Sequence, residues 1–231
     1  MLRNKPRRLL FGAAAVVMVM AGAGCSGQEA AKESGATAGG PLTHEDLRRL
    51  AFKEGEIPNT HAVPVQDSLP EQHEPTFPPV SDASCRQVLD VLDAKGAFAV
   101  VRQVFNWKDD LWGGASTLAS YEGEGAEQAF DRLQEGLKTC RSYSGVSYAG
   151  AYTTEVTGVD APQAGRVGDE ALTFRTVTPT KDGLAMHEDY VFVRAGKVTA
   201  AFRKTEAGHE ATFPRDLVER QVDRVGEAQG F

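Results

Sequence analysis

The sequence predicts an α+β fold, an antiparallel β-sheet with helices packed against it. Three observations carry that prediction. Residues 125–140 place Ala126, Ala129, Phe130, Leu133, Leu137 and Cys140 on one helical face. Four later stretches read as strands, with turn dipeptides Asp182-Gly183 and Ala195-Gly196 between them. The predicted order is α, α, β, β, α, β, β, β, β, α, so runs of strands lie between helices.

Residues 1–24 are set aside from the fold. Arg3, Lys5, Arg7 and Arg8 precede an apolar run at 9–20, and small residues 21–24 follow. That is the order of an export signal. The run is shorter than the roughly 20 residues of a transmembrane helix. Gly22-Ala23-Gly24-Cys25 resembles a bacterial lipobox, with Gly22 where Leu is usual. The resemblance implies cleavage before Cys25 and a diacylglyceryl group on its sulfur; a plain secretory signal is the alternative. One acyl chain holds a protein to a membrane only marginally, so two or three on one cysteine make the anchor stable. Arg7-Arg8 also resembles a twin-arginine signal. The match of 22–27 to G-x-G-x-x-G has no strand before it and no helix after it, so it carries no nucleotide chemistry.

Residues 26–41, rich in Gly, Ala and Ser, have no large apolar side chain and read as a flexible tether. Thr43 is placed to cap a short helix, with Asp46 three residues on and Leu42 poised to staple onto Leu47. Leu47, Leu50 and Ala51 form its apolar stripe, and Gly55 is the expected stop. Residues 58–79 hold six of the eleven prolines and read as an extended surface segment with an edge strand near 62–65. Pro75 to Pro78 spells P-x-x-P with no basic flank. A helix is expected at 84–93, a buried strand at 97–105, a turn at 108–110 and a second strand at 112–121. Gly136 inside the 125–140 helix costs about 1 kcal/mol relative to Ala unless close packing demands it. Further strands are expected at 146–156, 170–177, 185–194 and 197–205. Tyr190-Val191-Phe192-Val193 is apolar on both faces, which marks a central strand covered on both sides. A last helix at 213–228 would be capped by Thr212. The domains are thus a signal at 1–24, the lipidated Cys25 and tether at 25–41, a short helix with the proline-rich segment at 42–83, and the core at 84–228.

The chain has 231 residues, 41% hydrophobic and 25% charged, with a formal charge of -7. These values fit a globular protein and exclude collagen, coiled coil and disorder throughout. Removing 1–24 takes away four cations and no acid, which leaves -11. Such a chain does not bind nucleic acid or anionic head groups by charge. Three cysteines then resolve as one for lipid, Cys25, and a disulfide between Cys85 and Cys140 in an oxidising compartment. No C-x-x-C is present to suggest redox work.

The chemistry-bearing residues are sparse. His44, His73, His187 and His209 each precede a Glu, but no H-E-x-x-H zinc motif follows, and His61 stands alone. His187 with Glu188 or Asp189 is a conceivable metal set; on a strand 187 and 189 share a face and 188 does not. Neither a nucleophile elbow, a P-loop nor a calcium loop is present. The expectation is therefore no enzyme, no cofactor and no metal. Aromatics, chiefly Trp107, Trp112, Tyr121 and Tyr190, are the candidates to line a cleft for a ligand, although core packing also explains them.

The region 84–228 resembles the PknH-like extracellular sensor domain of actinobacterial membrane kinases, which also occurs as a free-standing lipoprotein. The carrying residues are Cys85 at a helix start and Phe105-Asn106 with Trp107. Next come the run from Ser116 to Tyr121 and the helix ending at Cys140. Gly168-Asp169-Glu170-Ala171 and the stretch from Val193 to Val198 follow. The resemblance implies a curved antiparallel sheet with packed helices, a possible ligand cleft, and sensing or binding without catalysis. Ectodomains of this type can carry two disulfides, whereas this chain has cysteines for one. The expected role is a lipid-anchored protein on the outer face of the cytoplasmic membrane. It would bind a small molecule, glycan or lipid. The alternative is an interaction protein that modulates an envelope enzyme or sensor kinase.

Overall fold

The computed structural model describes residues 39–66, 80, 82–147, 150–160, 163–164 and 167–230. The export signal, Cys25, most of the tether, His73 and Pro75 to Pro78 lie outside the described residues.

The fold is α+β, and the sheet is antiparallel at every described pairing. In chain order the elements begin with α1 (His44–Leu50), β1 (Thr60–Ala62), β2 (Val65–Gln66) and α2 (Ala83–Leu92). Next come β3 (Ala99–Trp107), β4 (Gly114–Ser120), α3 (Gly125–Thr139), β5 (Ser142–Ser147) and β6 (Gly150–Thr157). The chain continues through β7 (Gln163–Ala164), β8 (Glu170–Pro179), β9 (Ala185–Ala195), β10 (Val198–Ala207) and α4 (Arg215–Gln229). The strand order is β1-β3-β4-β10-β9-β8-β6-β5, with β2 also on β3 and β7 also on β8.

Helices cover both faces. Val100, Ala119, Leu172, Phe174, Tyr190 and Phe192 point to the α2/α3 side. Val101, Phe105, Leu118, Val193, Val198 and Phe202 point to the α1/α4 side. Period-two alternation makes this division, and β9 shows it best: 190 and 192 lie on one side, 191 and 193 on the other. The doubly apolar run at 190–193 is therefore central and covered on both faces, as its sequence predicts.

The α2/α3 layer is tied by the disulfide between Cys85 and Cys140, with Cα atoms 4.8 Å apart. Asp82 caps α2 by accepting from the Cys85 amide at 2.7 Å. The glycine inside α3 has its explanation here. A Cβ on Gly136 would sit 2.8 Å from Val88 Cγ2 and 2.9 Å from the Ser84 carbonyl, so its absence lets α3 lie directly on α2.

The α1/α4 layer is tied by polar contacts between distant segments. Thr43 and Asp46 form the expected capping box, and Leu42 and Leu47 are buried together. The helix ends at Leu50 rather than at Gly55. Chain direction changes there because the Phe52 amide and carbonyl turn to the side chain of Gln103, both at 2.8 Å. Gln221 donates to the Leu50 carbonyl at 2.9 Å, and Arg224 grips Glu56 through two bonds of 2.9 and 3.0 Å. Residues 42–63 are therefore part of the same core as 84–228, with Leu42, Leu47, Phe52, Ile57 and Val63 all buried in it.

Two expectations need correction. The single strand expected at 146–156 is a hairpin, β5 and β6, in which Val146 pairs with Ala151. Thr212 does not cap α4; Pro214 holds the N-cap position. The Phe213 amide just before it donates to Asp189 at 3.0 Å, so a strand carboxylate fixes the helix entry. The short pairing of β7 with β8 is a further element that has no signal in the sequence.

Candidate functional site

α2 and α3 cover only part of their face of the sheet. Beyond them, β3, β4, β10 and β9 leave a cleft of about 240 Å³, lined among others by Asp93, Arg102, Thr117, Tyr190 and Arg203. The ladder sets the spacing: Arg102 pairs with Thr117, and Thr117 pairs with Ala201, two residues from Arg203. Two guanidiniums thus stand two strands apart on one face, with a threonine between them.

Each arginine is held. Arg102 Nη2 donates to the Asp93 carbonyl at 2.9 Å. Arg203 Nη1 lies 3.4 Å from Glu188 Oε1. The other Glu188 oxygen accepts from Tyr190 at 2.9 Å and from Thr176 at 3.1 Å. Tyr190 also stacks on Phe174, with centroids 4.7 Å apart and planes 2° from parallel. Burial pushes the Tyr190 phenol well above its ordinary pKa, and the negative charge of Glu188 adds to that. Tyr143 on β5 is pushed up in the same way, first by burial and then by Glu188. Both phenols stay protonated at physiological pH, and Tyr190 donates to Glu188. The cleft offers two guanidiniums, one phenol and the hydroxyls of Ser116 and Thr117. It suits binding a polar or anionic group.

Of the four aromatics singled out in the sequence, the structure brings only Tyr190 to this cleft. Tyr121 is 2% exposed and packs in the α2/α3 core. Trp107 lies on the opposite face, 5.7 Å from Phe105 and 6.3 Å from Phe213, with the Lys204 ammonium 5.8 Å from its ring. Gly114 makes room for it, since a Cβ there would come within 2.9 Å of the indole. Trp112 sits half-exposed in the β3–β4 loop. The arginines that matter most here, Arg102 and Arg203, were missed. Each sits in a strand whose apolar residues dominate the reading, and only the register shows that they face the same side.

The histidines make no common site among the described residues. His44 Nδ1 is 3.1 Å from the Val100 carbonyl, and His209 Nε2 is 3.7 Å from Glu206. No group of three or more His, Cys, Asp and Glu side chains among the described residues could hold a metal ion. No described helix is long and apolar enough to cross a membrane.

The two motifs furthest along the chain form a structural clamp. Arg194 bonds Asp169 and Glu170, both at 2.7 Å. Asp169 also accepts from the Gly196 amide at 2.7 Å, and its own amide donates to the Arg194 carbonyl at 2.8 Å. Gly168 turns with φ of 64°, and a Cβ there would lie 2.5 Å from that carbonyl. The Gly-Asp-Glu-Ala motif thus locks the β9–β10 turn to the start of β8.

No family model matches the chain, and no curated protein matches it in sequence. Among solved structures it is similar to the crystal structure of the extracellular domain of PknH from Mycobacterium tuberculosis. The TM-score is 0.58 at 14% identity, over 82% of this chain and 99% of that one. At that identity the likeness is one of fold, and it bears out at that level the resemblance carried by the motifs above.

Proposed function

We propose that the protein is a lipid-anchored, extracytoplasmic sensor-like domain that binds a polar small molecule or glycan without catalysis. The observation that carries this reading is the cleft at the end of α2, where Arg102, Arg203 and Tyr190 converge on one face of the sheet. Two guanidiniums in one cleft favour a ligand with a carboxylate or phosphate. The likeness of fold to an extracellular kinase domain and the disulfide support a place outside the cytoplasm. The lipobox resemblance at Cys25 supports the anchor, on the outer face of the cytoplasmic membrane.

Two experiments test the two halves of the reading. Cys25→Ser should move the protein from the membrane fraction to the soluble one; unchanged retention overturns the anchor. For the cleft, saturation-transfer NMR on the full chain in detergent compares a uronic acid with its neutral sugar. The acid should bind, and Arg203→Met should weaken it at least tenfold. Equal response to both sugars, or no loss in the variant, overturns the cleft assignment.

A second reading, an interaction protein for an envelope enzyme or kinase, also has an observation behind it. Leu111 is 95% exposed and Trp112 50%, in the β3–β4 loop. Leu184, in the β8–β9 turn, is half-exposed, and Val146, near the tip of the β5–β6 hairpin, is exposed. The pairings Lys204 with Gly114 and Ala207 with Met186 place the first two turns at the same end of the sheet. Apolar residues at neighbouring turn tips suit a protein partner. Leu111→Ser with Trp112→Ser should abolish co-purification of an envelope protein from native membranes while sugar binding persists.

A further inference from the structure

The face opposite the cleft holds a second cavity, of about 270 Å³, between β8, β9 and the start of α4. It is separate from the site proposed above and does not rest on it. Strand alternation divides the two: Tyr190 lines the cleft, while Asp189, Val191 and Val193 line the cavity. Ala171, Phe213 and Val218 complete its apolar walls.

The cavity has one deeply placed charge. Asp189 is 7% exposed, and its Oδ2 accepts from the Phe213 amide at 3.0 Å. The other oxygen, Oδ1, forms an ion pair with Arg175 Nε at 3.6 Å, on a side chain that is 45% exposed. A carboxylate oxygen accepts two hydrogen bonds or more, so beside this ion pair Oδ1 keeps capacity for a further donor. Burial pushes the Asp189 carboxyl above its ordinary pKa, against the Phe213 bond and Arg175, which pull it down. Arg215, at the mouth, is already engaged by Glu219 at 2.9 Å.

We propose that this cavity binds a small amphiphile, an apolar body with a hydrogen-bond-donating head, whose head donates to Asp189. The walls account for the body and the remaining acceptor capacity of Oδ1 for the donor. A carboxylate head would meet the Asp189 charge and be rejected. At about 270 Å³ the space lies near the lower end of ligand pockets, roughly 300–1,000 Å³, so the occupant is a single short chain or ring. An amine and an alcohol share the required chemistry, and the test separates them.

The experiment is calorimetric titration of the full chain in detergent with octylamine, octanol and octanoate, each below its aggregation threshold. Octylamine and octanol should bind saturably at one site, and octanoate at least tenfold more weakly. Asp189→Asn keeps an acceptor for the Phe213 amide and removes the charge. It should weaken octylamine at least tenfold and leave octanol within a factor of about three. Ala171→Phe, which fills the cavity without touching Asp189, should abolish both, and it carries the test if Asp189→Asn does not fold. Arg203→Met should leave octylamine binding unchanged, which separates this site from the cleft. Equal binding of all three probes, or octylamine binding that survives Ala171→Phe, overturns the proposal.

Discussion

The two helical layers of this domain are held by different means. The α2/α3 layer is built from nearby chain, 83–140, and closed by one covalent bond between Cys85 and Cys140. The α1/α4 layer joins residues near 50 to residues near 220, and it relies on side chains that satisfy the backbone: Gln103 for Phe52, Gln221 for Leu50, Asp189 for Phe213. A local pair of helices can be fixed by a cross-link that restricts the unfolded chain. A layer assembled from distant segments has irregular backbone to bury, and that backbone needs partners. The polar residues of the second layer are therefore as structural as the cysteines of the first.

The contrast can be broken layer by layer. The largest effect should come from replacing both cysteines with serine. Closing the 55-residue separation contributes about 4 kcal/mol in the chain-entropy model, so the urea midpoint should fall accordingly and reducing agent should no longer shift it. Gln103→Ala comes next. Gln103 is 2% exposed and serves the Phe52 amide, the Phe52 carbonyl and the Val63 carbonyl. Stranding those groups should cost about 3 kcal/mol, with reducing agent still acting as in the parent. Gly136→Ala should be smaller. Crowding against Ser84 and Val88 costs about 1–3 kcal/mol and the gain in helix propensity returns about 1 kcal/mol, so thermal unfolding should show a modest net loss.

The smallest effect is the most diagnostic. The bonds from Arg224 hold the Glu56 carboxyl below its ordinary value of 4.5, although burial opposes them. A depressed carboxyl contributes stability that is present above 4.5 and lost as pH falls through its lower folded value. Glu56→Gln should therefore cost about 1 kcal/mol or less at pH 7. The gap between parent and variant should close as pH drops toward 3 in pH-resolved thermal unfolding. A gap that widened in acid would contradict the direction assigned to Glu56.

Much of the fold was legible because it follows from local rules. The capping box at Thr43, the apolar stripe of α3 and the two-sided run at 190–193 each depend on residues a few positions apart. The failures are non-local. The stop of α1 at Leu50 depends on Gln103, and the entry of α4 depends on Asp189; neither side chain signals in sequence which backbone it will meet. The β5–β6 hairpin was missed although Ala149-Gly150 repeats the dipeptide read as a turn at 195–196, because Val146 and the run from Tyr148 to Tyr152 read as one continuous strand. The candidate site was the least legible part. Tyr190 was found among the aromatics, but Arg102 and Arg203 converge only through the register of three strands. Trp107, Trp112 and Tyr121 turn out to sit on the far face, in a loop and in the core.

The bond from Gln221 to Leu50 and the grip of Arg224 on Glu56 also set an order of events during synthesis. A chain that emerges N-terminus first cannot satisfy Leu50 and Glu56 until residues some 170 positions later have arrived. The cysteine pair can close much earlier, over a third of that separation. Contacts between such distant segments are slow to form because the intervening loop must close first. The domain is therefore committed on its disulfide-bonded side before it is finished on the other, and its first helix is the last to be covered.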